Sequence, residues 1–258
     1  MPKQGEYKMT LKQLIYRELY LSKKSILQTL GIAGIVYIFI VMVLLSCSFG
    51  NMAKYGEPEE IMEIRNAVAA YLPVMLYSIA LVAGVDAIPN QIFADHLCGW
   101  HKFIRSSGVK ARDYVGAKYA SILLLFAAAT LLMTIVCPVL FLLSGSGKIN
   151  LTGLIIVLDA VLFFTDYNLP LFIWAKSREK ALFWSTLPIL VIAVLPVIVI
   201  TVRTVTGAAA VTEDMYEALI GKYSNGGFMP AACIASGILA ALLYVSFRLS
   251  VHFVEVEG

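Results

Sequence analysis

The stretch GAKYASILLLFAAATLLMTIVCPVLFLL at positions 116–143 contains a single charged residue, Lys118. About 20 consecutive apolar residues are enough to cross the hydrocarbon core of a bilayer as an α-helix. The stretch therefore predicts a transmembrane helix. We interpret Pro138 within it as a kink, because neighbouring helices in a membrane protein can satisfy the carbonyl group that a proline leaves free.

Five further apolar runs have comparable length, and the composition of the whole chain agrees with them. Charged residues make up 14% of the 258 residues and hydrophobic residues 60%, and the mean hydropathy is +0.82. A soluble domain has about 25% charged residues, and a disordered chain has few apolar residues, so both classes are excluded. We expect an all-α, polytopic membrane protein whose other five spans lie at 26–47, 67–88, 151–174, 180–202 and 228–250.

The distribution of lysine and arginine predicts the orientation of these six spans. With a cytoplasmic N-terminus, fifteen of the 20 basic residues fall in or beside cytoplasmic segments. The other five fall outside: Lys54, Arg65, Lys148, Arg203 and Lys222. Both termini are therefore expected in the cytoplasm.

The segment before the first span predicts a helix of a different kind. Thr10 and Gln13 form a capping-box pattern, and residues 10–24 combine an apolar face with basic side chains. Such a helix lies flat in the membrane interface. We expect residues 1–25 to form a cytoplasmic tail and an interfacial elbow helix, and residues 26–258 to form the six-helix domain. A plain polar extension is the alternative.

The longest cytoplasmic loop, 89–115, carries apolar side chains at helical spacing, and the helix is expected to end at Ser106–Gly108. Apolar residues on such a loop need a partner surface, either lipid headgroups or a protein. Trp100 and Phe103 are expected to anchor a protein partner, because three residues apart they share one face of a helix. His96, Cys98 and His101 in the same loop have no zinc-ligand spacing.

No motif in the sequence predicts catalysis. Gly145–Lys148 resembles a phosphate-binding loop but lacks the following Ser or Thr. Asp159 and Asp166 lie two turns apart within one predicted span. Because charge inside a membrane usually faces the bundle interior or water, these two residues either line a pathway for a cationic substrate or bond to a neighbouring helix.

Three stretches together resemble the permease subunit of ABC-2 type exporters. They are LKQLIYRELYLSKKSIL at 11–27, DHLCGWHKFIRSSGVKARDYVGAKY at 95–119, and NLPLFIWAKSREKALF at 168–183. The first is similar to the family's elbow, the second to its coupling loop, and the third to its junction between helices 4 and 5. Ser107–Gly108 replaces the usual Leu-Pro before Val109. The nearest similarity is to small permeases of Gram-positive bacteria, which include exporters of phenol-soluble modulins.

The resemblance implies a multi-pass protein of the bacterial plasma membrane that pairs with a second permease, as a homodimer, and with separate ATPase subunits. ATP and magnesium would bind to the ATPase, so this chain is not expected to be an enzyme or to hold a cofactor. The implied substrate is an amphipathic peptide or another hydrophobic compound, with lipid around the chain and no nucleic acid. The residues expected at the ATPase contact are Phe93, Asp95, Trp100, Lys102, Phe103 and Arg105.

Two other functions remain open from the sequence. One is a non-transporting membrane regulator or assembly protein, and the other is a membrane-embedded enzyme. A neighbouring gene for an ATPase would favour the exporter over the regulator. An enzyme would need acid–base or metal-binding groups within the membrane, where the two aspartates are the available candidates.

Overall fold

A computed structural model describes residues 9–144, 151–175, 177–205 and 227–256. Within these ranges, the side chains of 69–70, 83–90, 101, 105, 141, 143–144, 189, 192–193 and 195–205 are not described. The described residues form eight helices and no strand. The helices are α1 (Leu11–Phe49), α2 (Asn51–Tyr55), α3 (Pro58–Leu97), α4 (Trp100–Ser106), α5 (Ala111–Ser144), α6 (Leu151–Ala175), α7 (Arg178–Val205) and α8 (Met229–Val256).

Five segments of the described chain are long and apolar enough to cross a membrane. They are Leu11–Tyr55, Pro58–Val82, Ala111–Leu140, Leu151–Ala175 and Met229–Val256. Each contains one of the predicted spans or most of it. The sixth predicted span, 180–202, falls on α7, where many of the side chains lie outside the described set.

The first helix is longer than we expected and is continuous. It begins where the capping box predicts, with the Thr10 amide donating to Gln13 Oε1 at 2.9 Å. It then continues to Phe49 as one α-helix instead of turning between an elbow and the first span. No glycine or proline occurs between Leu11 and Leu30, so the sequence offers no residue that would break the helix there.

The buried face of the N-terminal part of α1 also differs from the expected one. Leu14, Glu18 and Ser22 lie on it at four-residue spacing, each at most 2% exposed. Leu11, which we placed on the apolar face, is 44% exposed. The N-terminal part of α1 therefore presents a partly polar face to the other helices.

Helices α3 and α5 form the centre of the bundle. Both contact α1, α3 also contacts α6, and α8 packs on α6 and α5. Helix α7 packs mainly on α6. Leu44, Leu81, Val115 and Leu140 fill the space between these helices with almost no exposed surface.

The predicted loop at 89–115 is shorter than expected, because α3 continues as a helix to Leu97. A turn at Cys98–Gly99 leads into the short helix α4, and a second turn at Ser107–Gly108 ends it. The second turn confirms the predicted break. Gly99 and Gly108 have φ angles of 68° and 73°, a conformation that glycine adopts without steric cost. The two glycines therefore set the position of α4 relative to α3 and α5.

Candidate functional site

Four charged side chains from three helices meet in a cluster, which we call the charged cluster. Lys118 Nζ lies 3.1 Å from Glu18 Oε2 and 2.9 Å from Asp95 Oδ2. The Arg17 guanidinium lies 2.5 Å from Asp95 Oδ1 and 2.8 Å from Glu18 Oε1. Two cations and two anions thus neutralise one another. Lys118, Glu18 and Asp95 are each at most 1% exposed.

Neutral side chains complete the charged cluster. The Tyr114 hydroxyl donates to Asp95 Oδ2 at 3.0 Å. The Gln91 amide donates to the Glu18 carbonyl at 3.0 Å and also to the Ser22 hydroxyl. A buried ion pair is stable only when additional hydrogen bonds satisfy its charged atoms. The Tyr114 bond supplies that condition for Asp95, and the Gln91 bonds join α3 to α1. Together with the ion pairs, these contacts hold α1, α3 and α5 together at one end of the bundle.

The charges of the cluster determine the ionisation of Asp95. Burial by itself would raise the pKa of this carboxyl group, because a low-dielectric environment disfavours the charged form. Lys118 and Arg17 outweigh burial and lower the pKa of Asp95 below its ordinary value of 3.8. Asp95 is therefore a carboxylate at neutral pH.

An exposed aromatic surface lies next to the charged cluster. The rings of Trp100 and Phe103 in α4 stack with centroids 5.1 Å apart, and Phe103 is 52% exposed. Leu97, at the end of α3, is 90% exposed. Ile104 and Val109 are buried and hold α4 against the bundle. We call Leu97, Trp100 and Phe103 the α4 patch.

Arg17 connects the α4 patch to the charged cluster. Its guanidinium carbon lies 4.1 Å from the centroid of the Trp100 ring, a distance at which a cation is attracted to the ring face. The same guanidinium pairs with Asp95. A displacement of α4 therefore acts directly on a side chain that is bonded to both α1 and α3.

The residues predicted for the ATPase contact fall into two groups. Trp100, Lys102 and Phe103 lie on α4, where Lys102 and Phe103 are exposed and Trp100 is partly exposed. Phe93 and Asp95 belong to α3 and point inward: the Phe93 ring packs edge-to-face on Phe172, with centroids 5.2 Å apart, and Asp95 belongs to the charged cluster. Phe93 and Asp95 are therefore buried beneath the α4 patch side of the bundle and are not part of an exposed surface. The reason is that α3 remains helical up to Leu97. The side chain of Arg105 lies outside the described set.

The two aspartates of α6 have different surroundings. Asp159 is 8% exposed and accepts a hydrogen bond of 2.5 Å from Ser236 of α8, so it is bonded to a neighbouring helix. Asp166 has two shielded carboxylate oxygens that lack a hydrogen-bond partner among the described residues. The structure therefore does not join the two aspartates into one site.

Glu18, Gln91 and Tyr114 were not predicted as site residues, and Arg17 and Lys118 were counted as cytoplasmic basic residues without a partner being assigned to either. The four-residue spacing of Leu14, Glu18 and Ser22 places them on one helix face, but only the packed structure shows that this face is buried. Among the described residues, no group of three His, Cys, Asp or Glu is placed to hold a metal ion. The charged cluster thus joins α1, α3 and α5 next to an exposed aromatic surface on α4.

Comparisons with protein-family models, with curated proteins and with solved structures find no match for this chain.

Proposed function

We propose that this chain is the transmembrane permease subunit of an ABC exporter, and that the α4 patch docks the separate ATPase subunit. The observation that supports this most is the convergence of the three stretches on which the family resemblance rests. Arg17 and Glu18 come from the first stretch, and Asp95 and Lys118 come from the second. Residues 168–183 form the third stretch, in which Phe172 contacts Phe93, two residues before the second stretch begins.

The α4 patch has the properties of a protein interface. A few large aromatic side chains dominate the binding energy of many interfaces, and here Trp100 and Phe103 are stacked and partly or largely exposed. Basic residues accompany the patch, since Lys102 is exposed on α4 and Arg17 lies over the Trp100 ring. We expect the ATPase to present an apolar groove with an acidic rim, which would increase the association rate.

The charged cluster would transmit the movement of the ATPase. When the ATPase subunits close on ATP, α4 moves with them and shifts Trp100 against Arg17. Arg17 is paired with Asp95, and Lys118 binds Asp95 to Glu18. Because each ion pair of Lys118 joins its helix to a different one, the ends of α1, α3 and α5 move together and open the pathway.

A cavity between α3, α5 and α6 supports a hydrophobic or amphipathic substrate. It has a volume of about 440 Å³ and an almost entirely apolar wall, to which Tyr77, Met133 and Leu154 contribute. The hydroxyl groups of Tyr77 and Thr130 are hydrogen-bonded to each other at 2.8 Å. The cavity suits an aliphatic or aromatic side chain of an amphipathic peptide.

Co-purification with the ATPase tests the proposal. The tagged chain is isolated from its native membrane in mild detergent, and the amount and activity of a bound ATPase are measured with and without an amphipathic peptide. Trp100→Ala with Phe103→Ala should weaken docking by about 2 kcal/mol or more, which is a loss of about 30-fold. The matched control is Phe49→Ala with Tyr55→Ala, since these aromatics are 82% and 84% exposed at the far end of α1 and on α2.

Two results would contradict the proposal. If the Trp100 and Phe103 double variant keeps a full complement of ATPase, the α4 patch is not the docking surface. If no ATPase accompanies the wild-type chain, the chain is not the permease subunit of an ABC exporter.

A further inference from the structure

Three prolines lie within the helical hairpin formed by α6 and α7, and for two of them the structure describes what becomes of the carbonyl group that each leaves free. In an α-helix, the amide of each residue donates to the carbonyl four residues earlier, and proline has no amide hydrogen. Pro170 therefore frees the carbonyl of Asp166, and Pro188 frees the carbonyl of Trp184. Within a membrane, a free carbonyl must find another donor.

A chain of hydroxyl groups satisfies the first carbonyl. Ser246 of α8 donates to the Asp166 carbonyl at 2.7 Å. Ser246 is bonded to the Tyr119 hydroxyl at 2.6 Å, and Tyr119 is bonded to Ser250 at 3.0 Å. Tyr119, Ser246 and Ser250 are all buried. The donor that replaces the missing amide thus comes from a different helix and is held in place by α5.

A single hydroxyl group satisfies the second carbonyl. Tyr167 of α6 donates to the Trp184 carbonyl of α7 at 2.8 Å. Two adjacent residues of α6 therefore take part in the replacement bonds. The carbonyl of Asp166 accepts a hydrogen bond from α8, and the hydroxyl of Tyr167 donates one to α7. The two weak points of the hairpin are connected to each other and to the bundle through side chains.

The segment between the prolines contacts the end of α3 that carries the charged cluster. Phe172, within this segment, packs edge-to-face on Phe93, which is two residues from Asp95 in the same helix. Helix α7 packs mainly on α6. Movement of the end of α3 would therefore be passed to the segment 170–188.

We propose that Pro170 and Pro188 are two hinges, and that residues 170–188 move between them as a unit relative to the rest of α6 and α7. Ser246 and Tyr167 act as latches, because their hydrogen bonds replace backbone bonds and can break without unfolding either helix. The device is independent of the proposed export function, since it depends only on bonds within this chain.

The carboxylate of Asp166, which is unpaired within the described part of the chain, is a reason to expect that the hinge at Pro170 takes more than one position. Its two carboxylate oxygens are shielded and have no partner among the described residues, an arrangement that is costly for a polar group. Movement at Pro170 next to it would let water or another donor reach these oxygens. A second position of the hinge that supplied such a donor would recover part of this cost.

A mutational cycle tests the latch at Pro170. Ser246→Ala removes the bonds to the Asp166 carbonyl and to Tyr119, so it should lower the melting temperature by about 4 to 8 °C, at about 1 kcal/mol for each bond. Pro170→Ala restores the missing amide, so in that background Ser246→Ala should cause only about half of that decrease, from the lost bond to Tyr119. The matched pair for the second hinge is Tyr167→Phe with Pro188→Ala.

Distance measurements test the motion. Nitroxide labels are attached to cysteines at the exposed positions Glu179 and Arg248, after the four native cysteines have been replaced. The wild type should show two distances or one broad distribution, Pro170→Ala should narrow it, and Ser246→Ala should broaden it. Ser246→Ala keeps the test valid if Pro170→Ala fails to fold.

Either of two outcomes would overturn the proposal. If the effects of Ser246→Ala and Pro170→Ala on the melting temperature are additive, Ser246 does not replace the amide that Pro170 lacks. If the label distances are the same in the wild type and in the variants, residues 170–188 do not move as a hinged unit.

Discussion

Replacing Lys118 by methionine tests the charged cluster most severely. The side chain of Lys118 is fully buried and lies within 3.1 Å of two carboxylates, Glu18 and Asp95. Methionine keeps most of the volume of the lysine side chain but removes its charge. Two buried carboxylates then share a single cation, Arg17, whose side chain is 21% exposed.

The expected loss of stability follows from this imbalance of charge. Removing one partner of a buried ion pair costs about 3 to 5 kcal/mol, because the remaining charge stays buried without compensation. For a chain of this size, each 1 kcal/mol corresponds to about 2 to 4 °C in melting temperature. Lys118→Met should therefore lower the melting temperature in detergent by about 6 to 20 °C.

A second substitution separates lost charge balance from lost packing. Adding Glu18→Gln to Lys118→Met removes one anion and leaves the pair of Arg17 and Asp95. The double variant should recover about 0.5 to 3 kcal/mol relative to the sum of the two single effects. Lys24→Met, at an exposed position of the same helix as Glu18, is the control and should change stability by less than about 0.5 kcal/mol. A Lys118→Met protein that melts like the wild type would refute the account of the cluster.

Three further predictions concern other parts of the chain. Because the pKa of folded Asp95 is below its ordinary value of 3.8, its stabilising contribution is present above that value and is lost as the pH falls through the lower, folded pKa. Asp95→Asn should therefore reduce stability at neutral pH and make the melting temperature decrease less as the pH is lowered. An unchanged decrease of the melting temperature at acid pH would contradict this prediction. Gly108→Ala should lower the stability of the protein by about 1 kcal/mol, because the φ of 73° at this position is unfavourable for alanine. Gly237→Ala, in an open helical position, should leave the melting temperature unchanged or raise it. Equal effects of the two substitutions would contradict this reason. A cysteine at exposed Lys54 should react with a membrane-impermeant thiol reagent in whole cells and one at exposed Lys110 should not, and labelling of Lys110 would contradict the proposed orientation.

Hydropathy predicted the helices wherever apolar residues alone determine them. The run at 151–174 matches α6 at Leu151–Ala175, and the run at 228–250 falls on α8 at Met229–Val256. The start of α1 was also predictable, because Thr10 and Gln13 determine it through local hydrogen bonds. These features depend on residues that are close together in the sequence.

The lengths of α1 and α3 were not predictable in the same way. The run 26–47 begins just after Lys23 and Lys24, and the run 67–88 ends before the polar residues Asn90 and Gln91. The helices nevertheless extend past Arg17 and Glu18 at one end and Asp95 at the other. A hydropathy window counts each charge as a cost. The structure removes much of that cost by pairing charges from helices that are far apart in the sequence, so the charged cluster can be found only once the helices are packed.

The α4 patch was predicted in part for the same reason. Trp100 and Phe103 lie three residues apart and share a short helix, as their spacing indicated. Phe93 was assigned to the same surface, but α3 continues through it and directs its ring toward Phe172. Helical spacing indicates which residues share a face; it does not indicate where one helix ends and the next begins.

Photocrosslinking from position 103 tests the central claim most directly. A benzoyl-phenylalanine residue replaces Phe103 in the full chain, and the native membrane is irradiated before any detergent is added. The same residue replacing Tyr55, which is 84% exposed on α2, is the control. The account predicts a crosslink from position 103 to an ATPase subunit and none from position 55. Crosslinks from position 103 to lipid alone, in membranes that contain the ATPase, would contradict it.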